Sequence, residues 1–483
     1  METLSKRALL PLCFAIILIF FAEPCAALSD TINVLITDKT TNGTFAGTQV
    51  EIADGANSFD RLSGNYSVYF QNGRVTIGNS EHELPVKLSS ESPIIWNGKK
   101  YYGNIYIKKE SDGFIVINEV DVELYLLGVV KAEMNDKWPL EALKAQAVIA
   151  RTYAASACGK HANCDVCATS HCQVYNGISG EEESIKAAVT ETRGMILKWN
   201  GAPASVFYHS DSGGMVTSSA YVWGSDIPYL RLKAEPMAYV GPNTIWQSTI
   251  PMSFIESRLN ASGLNLGKIE SITPIKRDES GRVLTIEVRG SNGIKSMTGH
   301  KFRTIIGTDK IKSTMFEFRQ GRSAYAEDVN IGQKTVVKQQ LPSDRRMKID
   351  LRDLPQDKEE KLVWLTKHRV FTTLELMEML SKPNKIDDYV EMGIARAQGR
   401  LPMPYGTDSN QFDGNPSDAR HEPAYSPSNF SMRPGTGETL VLYGRGSGHG
   451  VGLSQWGAKT LAENGWDYRK ILEYYFPGTT VGQ

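Results

Sequence analysis

After residue 27 the chain has no apolar run of the roughly 20 residues that a membrane-spanning helix needs. It also lacks a charge excess. Lys+Arg number 53 against 54 Asp+Glu, a net charge of −1, so the basic face that nucleic acid demands is missing. No solenoid-type repeat is present, and no Gly-x-Ser-x-Gly elbow. His209, Ser210 and Asp211 are sequence neighbours, whereas catalytic triads converge from distant segments, so a serine hydrolase is unsupported. The glycine block Gly444–Gly457 lacks Gly-x-Gly-x-x-Gly, because Leu453 and Gln455 stand where a third glycine is needed. That removes dinucleotide binding. Cysteine is scarce, six in all. Two lie before residue 26, and four crowd into one stretch as Cys158, Cys164, Cys167 and Cys172.

What is present begins with Lys6 and Arg7, an apolar run of about 14 residues (Ala8 to Phe21), then Cys25, Ala26 and Ala27. A basic start, a short apolar core and small residues predict a cleaved export signal over 1–27, with no permanent membrane anchor. The protein is therefore expected outside the cytoplasm, in periplasm, wall or medium. Residues 28–118 read as a β-rich module. Alternating runs at Ile32–Ile36, Tyr66–Phe70, Ile94–Trp96 and Tyr101–Ile107 are separated by turn signals such as Asn42-Gly43, Asn72-Gly73 and Asn97-Gly98. From 119 to 321 the pattern is mixed. Trp138-Pro139 opens a strong helix over about 139–157, Glu182–Thr192 reads as another, and strands fall near Met195–Leu197 and Ala204–His209. The dense charges of 322–437 and its polar run Leu401–Pro434 predict a partly disordered insertion, with helical patterns at Thr373–Leu380 and Asp387–Gln398. Order resumes over 438–483, where Ser454 caps a helix that Gly465 ends. The expected class is α+β.

Three groups of residues have chemistry to offer. Glu133 follows the apolar stretch Leu126–Val130, so desolvation should raise its pKa toward what a general acid needs. A carboxylate at the entrance of the Pro139 helix is the structural alternative. Lys144 and Arg151, seven residues apart, share one helix face, suited either to a sugar chain or to solvent. His161 and His171 are interleaved with the four cysteines. That mixture fits tetrahedral zinc, while an exported chain with four cysteines equally fits two disulfides.

Several strings together resemble one family. They are Val122–Met134 with Trp138–Tyr153, Cys172-Gln173-Val174-Tyr175, Tyr208-His209-Ser210 with Ser212-Gly213-Gly214, Gly448–Gly457, and the tail Tyr474–Thr479. This is similar to the signature of SpoIID/LytB proteins, over roughly 118–320 and 438–483. The long insertion and the N-terminal β module depart from the core pattern. The resemblance implies a SpoIID-like catalytic core that cuts MurNAc–GlcNAc linkages of peptidoglycan without water, leaving 1,6-anhydro-MurNAc. By it Glu133 is the acid/base, and Lys144, Arg151, Tyr208 and His209 are further catalytic positions. Gln146, Ser212, Gly213, His449 and Gln455 then line the substrate. It implies one structural zinc on His161, Cys167, His171 and Cys172, with Cys158 and Cys164 as alternative ligands, and no cofactor for catalysis itself. The LytB branch implies an alternative, a non-catalytic wall protein that enhances an amidase. Peptidoglycan strands, and in that branch a wall amidase, are the expected partners.

Overall fold

The computed structural model describes residues 30–157, 161–178, 182–237, 239, 241–319 and 439–483, with short stretches between 351 and 398. The chain is mixed α+β. Residues 30–121 form β1 (Thr31–Thr40), β2 (Asn42–Ala53), β3 (Phe59–Gln71), β4 (Arg74–Ile77), β5 (Ser80–Glu83), β6 (Val86–Ser89), β7 (Ile94–Trp96), β8 (Lys99–Tyr101), β9 (Asn104–Glu110) and β10 (Gly113–Asp121). Asn72-Gly73 and Asn97-Gly98 both have positive φ at each residue, the requirement of the tight turns that join β3 to β4 and β7 to β8. Asn42-Gly43 differs. It opens β2 rather than making the turn, and Gly43 lies so near Trp96 that a Cβ would come 2.5 Å from the ring.

The main sheet runs β11-β1-β10-β9-β6-β2-β3-β4-β5, where β11 is Val166–Cys167. That last strand comes from the Cys/His stretch and joins β1 in parallel, Val34 opposite Val166 and Leu35 opposite Cys167. The β-rich part is therefore not a detached module. Strand β10 passes directly into helix α1 (Val122–Glu133), whose first amides, Glu123 and Leu124, are capped by the Asp121 carboxylate. One apolar core continues from Ile32 in β1 through Tyr125 and Val129 of α1 to Phe476 near the C-terminus. The boundary expected at 118 falls inside this continuous packing.

Helix α2 (Leu140–Ser156) starts one residue after Pro139, and α3 (Glu183–Glu191) packs beside it. A second core, from Trp246 to Leu442, fills the space around two three-stranded sheets. Its strand Thr439–Arg445 pairs with Phe316–Arg319, Arg319 opposite Val441, so the chain leaves and re-enters on neighbouring strands. Ends that close together let a long stretch intervene without disturbing the body that flanks it. By its contacts the chain divides into Met1–Ser323 with Asn429–Gln483, and Ala324–Ser428. In the second unit the described residues include the helix Ile386–Ala397 and a small apolar cluster of Leu365, Val370, Val390 and Ala397. The export signal, the Thr373–Leu380 pattern and the polar run 401–434 lie outside the described residues. No helix among the described residues is long and apolar enough to cross a membrane.

Candidate active site

Glu133 is the last residue of α1, not the entrance of α2, so it sits at the end where the helix dipole disfavours a negative charge. Its carboxyl is gripped from three distant segments. Oε1 accepts from the Val174 amide (3.1 Å) and from the Tyr208 hydroxyl (3.1 Å), and Oε2 from the Gln455 side-chain amide (3.3 Å). Burial raises the Glu133 pKa, and these hydrogen bonds offset only part of that rise. Gln173 adds a second layer, its Oε1 accepting from Tyr125 at 3.1 Å. Two half-buried indoles, Trp138 and Trp456, meet edge to face at 5.0 Å. They follow Glu133 by five residues and Gln455 by one. Tyr125, Trp138, Gln173 and Val174 stand inside the strings that carry the family resemblance, but the sequence assigns none of them a role in the site.

Lys144 and Arg151 do not join this cluster. Lys144 bonds Glu141 at 2.7 Å and Glu191 at 2.6 Å, tying α2 to α3. Arg151 is fully buried, with Nε and Nη2 on the two oxygens of Glu123 (2.9 and 2.7 Å) and Nη1 on the Met195 carbonyl (3.0 Å). Glu123 stands ten residues before Glu133 on α1, about 15 Å along the axis. The face that these two cations share is the seam of three helices, neither a sugar cleft nor a solvated surface. Arg151→Met leaves the part-buried Glu123 carboxylate with only the Gly194 amide, so we expect a loss of about 2 kcal/mol in urea unfolding. An unchanged midpoint would contradict this structural role.

Five other expected site residues, His209, His449, Ser212, Gly213 and Gln146, are likewise placed elsewhere. Tyr208 and His209 are successive residues of a short strand paired in parallel with Leu453-Ser454, so their side chains leave on opposite faces. Tyr208 reaches Glu133. His209 is buried on the other side, Nδ1 3.1 Å from the Val451 carbonyl, its ring 5.6 Å from that of His449. Burial holds both imidazoles below the usual range, His449 at about 3, so both are neutral at pH 7. Ser212 is fully buried, its hydroxyl 2.8 Å from Tyr239, and the Gly213 amide donates to Asp211 at 2.8 Å. These two shape a polar network with Thr244 and Ser454 rather than an open surface. Gln146 is fully buried on α2, and neither of its amide atoms has a hydrogen-bond partner. Glu235 is a carboxyl the sequence did not flag. Burial raises it to about 7, and its Oε2 accepts from the Tyr475 hydroxyl at 2.7 Å.

The Cys/His stretch converges as its residue types require. The nearest side-chain nitrogen or sulfur atoms of His161, Cys167, His171 and Cys172 all lie within 4.8 Å of one another. His161 Nε2 is 3.1 Å from Cys172 Sγ, and His171 Nδ1 is 3.6 Å from Cys167 Sγ and 3.4 Å from Cys172 Sγ. Bonds of about 2.0–2.3 Å in a tetrahedron put neighbouring ligands at roughly those separations, so the donor set fits zinc. Cys164 is no alternative ligand. It is buried against Ile115 and Ile117, and burial pushes its thiol up to about 11. Cys164, Cys167 and Cys172 are all free thiols, and Cys158 lies outside the described residues.

Residues 110–199, which contain Glu133 and this whole cluster, match the family model described as SpoIID, stage II sporulation protein. The chain is 28% identical over 431 residues to the amidase enhancer of Bacillus subtilis, an alignment covering 86% of this chain and 50% of that protein. It is 32% identical over 229 residues to an uncharacterised protein of Brachyspira hyodysenteriae, covering 46% of this chain and 60% of that one. With the stage II sporulation protein D of Bacillus amyloliquefaciens it shares 28% over 221 residues, 42% of this chain and 62% of that protein. The chain thus spans about half to three fifths of the length of these relatives.

Proposed function

We propose that this chain, a member of the SpoIID/LytB family, is an exported peptidoglycan lytic transglycosylase with Glu133 as its single acid/base. The observation that carries the reading is the three-sided grip on a carboxyl whose pKa is raised. Two donors already occupy Oε1, so it is the carbonyl-like oxygen and Oε2 holds the proton. That proton passes to the glycosidic oxygen as the MurNAc C1–O bond breaks. The freed carboxylate then takes the proton of the same sugar's 6-hydroxyl, whose oxygen closes on C1. Atoms balance without water, and one carboxyl serves both steps where a hydrolase needs two. Trp138 and Trp456, near Glu133 and Gln455 in the chain, are the aromatic side chains available to stack on a sugar ring.

The reading includes one structural zinc on His161, Cys167, His171 and Cys172, which would supply folding stability and no chemistry. Gln173 and Val174 directly follow the last ligand, so pinning the loop pins two groups of the Glu133 network.

A second reading is favoured by one observation. The relative aligned over 86% of this chain is named an amidase enhancer, and enhancing another enzyme needs no acid of its own. Lys144 and Arg151, engaged in structural pairs, do not weigh against it. Mass spectrometry of purified glycan strands after incubation separates the two. We expect new 1,6-anhydro-MurNAc ends. Reducing ends would indicate a hydrolase, and unchanged strands would leave the enhancer.

A further inference from the structure

Glu235 carries a buried carboxyl that the Glu133 chemistry leaves without a task. It lies against the first turn of the helix Gln455–Glu463, the turn that supplies the Gln455 amide to Glu133. At Gly457 a Cβ would stand 2.8 Å from Glu235 Oε2 and 2.9 Å from Oε1, so both oxygens press on the backbone of that turn and only glycine leaves them room. Oε2 accepts from the Tyr475 hydroxyl, while Oε1 is buried with no hydrogen-bond partner. The hydroxyls of Ser212 and Ser454 stand beside the carboxyl. Ser454 is also the cap of the helix, its Oγ accepting from the Gly457 amide at 3.2 Å. Asp211, linked to both serines through Tyr239, is a second carboxyl in the same network.

We propose that Glu235 is a positioning residue for the Glu133 acid: its neutral carboxyl seats the first turn of the Gln455–Glu463 helix, and with it Gln455 and Trp456. The geometry asks for a proton. Oε2 already accepts, so a neutral Glu235 carries its hydrogen on Oε1, where it can be donated to the oxygen of Ser212 or Ser454. An anion would leave Oε1 buried without a donor and beside Asp211, a cost that swinging out to water relieves. The residue as a whole is half-buried although Oε1 is enclosed, so the way out is short. Burial is the largest influence and raises the carboxyl to about 7, the Tyr475 hydroxyl opposing and the Asp211 charge adding to the rise. The helix dipole also favours the anion, by a smaller amount at this residue. Among the described residues no cation pairs with it. Lys233 is turned to the ring and carbonyl of Tyr474, Arg282 bonds the Ser212 carbonyl on the Asp211 side, and Lys459 is paired with Glu463. Burial pushes Tyr239, Tyr474 and Tyr475 above their ordinary range, so all three are neutral. The seat is therefore complete below the ordinary 4.5 and is lost as pH rises through about 7.

The edge-to-face indoles of Trp138 and Trp456 give a readout that needs no catalysis, because such a pair produces an exciton couplet in circular dichroism. Trp138→Phe should remove the couplet and so identify it. In the full chain the couplet should weaken as pH rises, with a midpoint near 7. Glu235→Gln should hold it constant, since the amide still accepts from Tyr475 and donates from its other arm. Tyr475→Phe removes a donor that favours the anion and should move the midpoint to higher pH. Glu133→Gln should leave the change in place, which separates it from the acid's own titration. That Glu133 acts as an acid rests on the proposed function, so cleavage is read separately. At about pH 8 roughly a tenth of the parent's Glu235 stays protonated, so Glu235→Gln should retain about tenfold more of its rate at about pH 6 than the parent does. No cleavage by the parent, with the couplet behaving as described, strikes the lytic reading while the seat stands. The proposal is overturned if the parent couplet is constant between about pH 5.5 and 8.5. It also falls if Glu235→Gln changes as the parent does, or if their two cleavage profiles run parallel.

Discussion

Glu133→Gln is expected to lower glycan cleavage by about 10²-fold or more while fold and strand binding stay nearly intact. The amide keeps the shape, and its oxygen still accepts from Val174 and Tyr208, but it shuttles no proton. The pH dependence has a definite sign. The proton must be on Glu133 when the leaving oxygen departs, and burial raises the pKa above its ordinary 4.5. The alkaline limb of the rate profile therefore belongs to this residue and lies above the usual carboxylate range. The same shift affects stability. The folded state holds the proton more tightly than the unfolded one, so Glu133 contributes stability that is complete below about 4.5. That contribution is lost as pH rises through the folded value. The Gln variant escapes this loss and should be at least as stable as the parent at neutral pH. Cleavage by Glu133→Gln at the parent rate, measured on purified strands, ends the assignment.

Features written in short stretches of sequence were legible in advance. The Asn72-Gly73 and Asn97-Gly98 turns, the helix behind Pro139 and the Ser454 cap each depend on a few adjacent residues whose φ preferences or hydrogen bonds are local. Glu133 was found because a carboxyl at the border of an apolar run already implies desolvation. Its surroundings were only partly visible, since Val174, Tyr208 and Gln455 come from segments up to 322 residues away.

Lys144 and Arg151 show why a shared helix face is weak evidence. Spacing puts them on one side of α2, but what lies opposite is decided by Glu123 and Glu191 on other helices. The division between Tyr208 and His209 was available in principle, from the two-residue period of a strand, had the strand been taken residue by residue.

Removing the metal should have the larger structural effect. Purified without added metal, the protein is expected to contain one zinc per chain, and a strong chelator should lower its melting temperature. Closed zinc sites in small peptides supply about 10–16 kcal/mol. Here β11 is already hydrogen-bonded to β1, and Asp165 to Asn33 at 2.8 Å, so the loop is partly held without metal. If about 3 kcal/mol depends on zinc, the midpoint falls by about 4 °C for a unit of this size. Cleavage should fall as well, because Gln173 and Val174 follow Cys172 directly and Val174 supplies one of the two hydrogen bonds on Glu133 Oε1. His161→Ala should reproduce both effects without chelator. A disulfide staple predicts the reverse pattern, with chelator inert and reductant destabilising. Near-zero zinc by elemental analysis, together with no titratable thiols in the denatured chain, would exclude the metal.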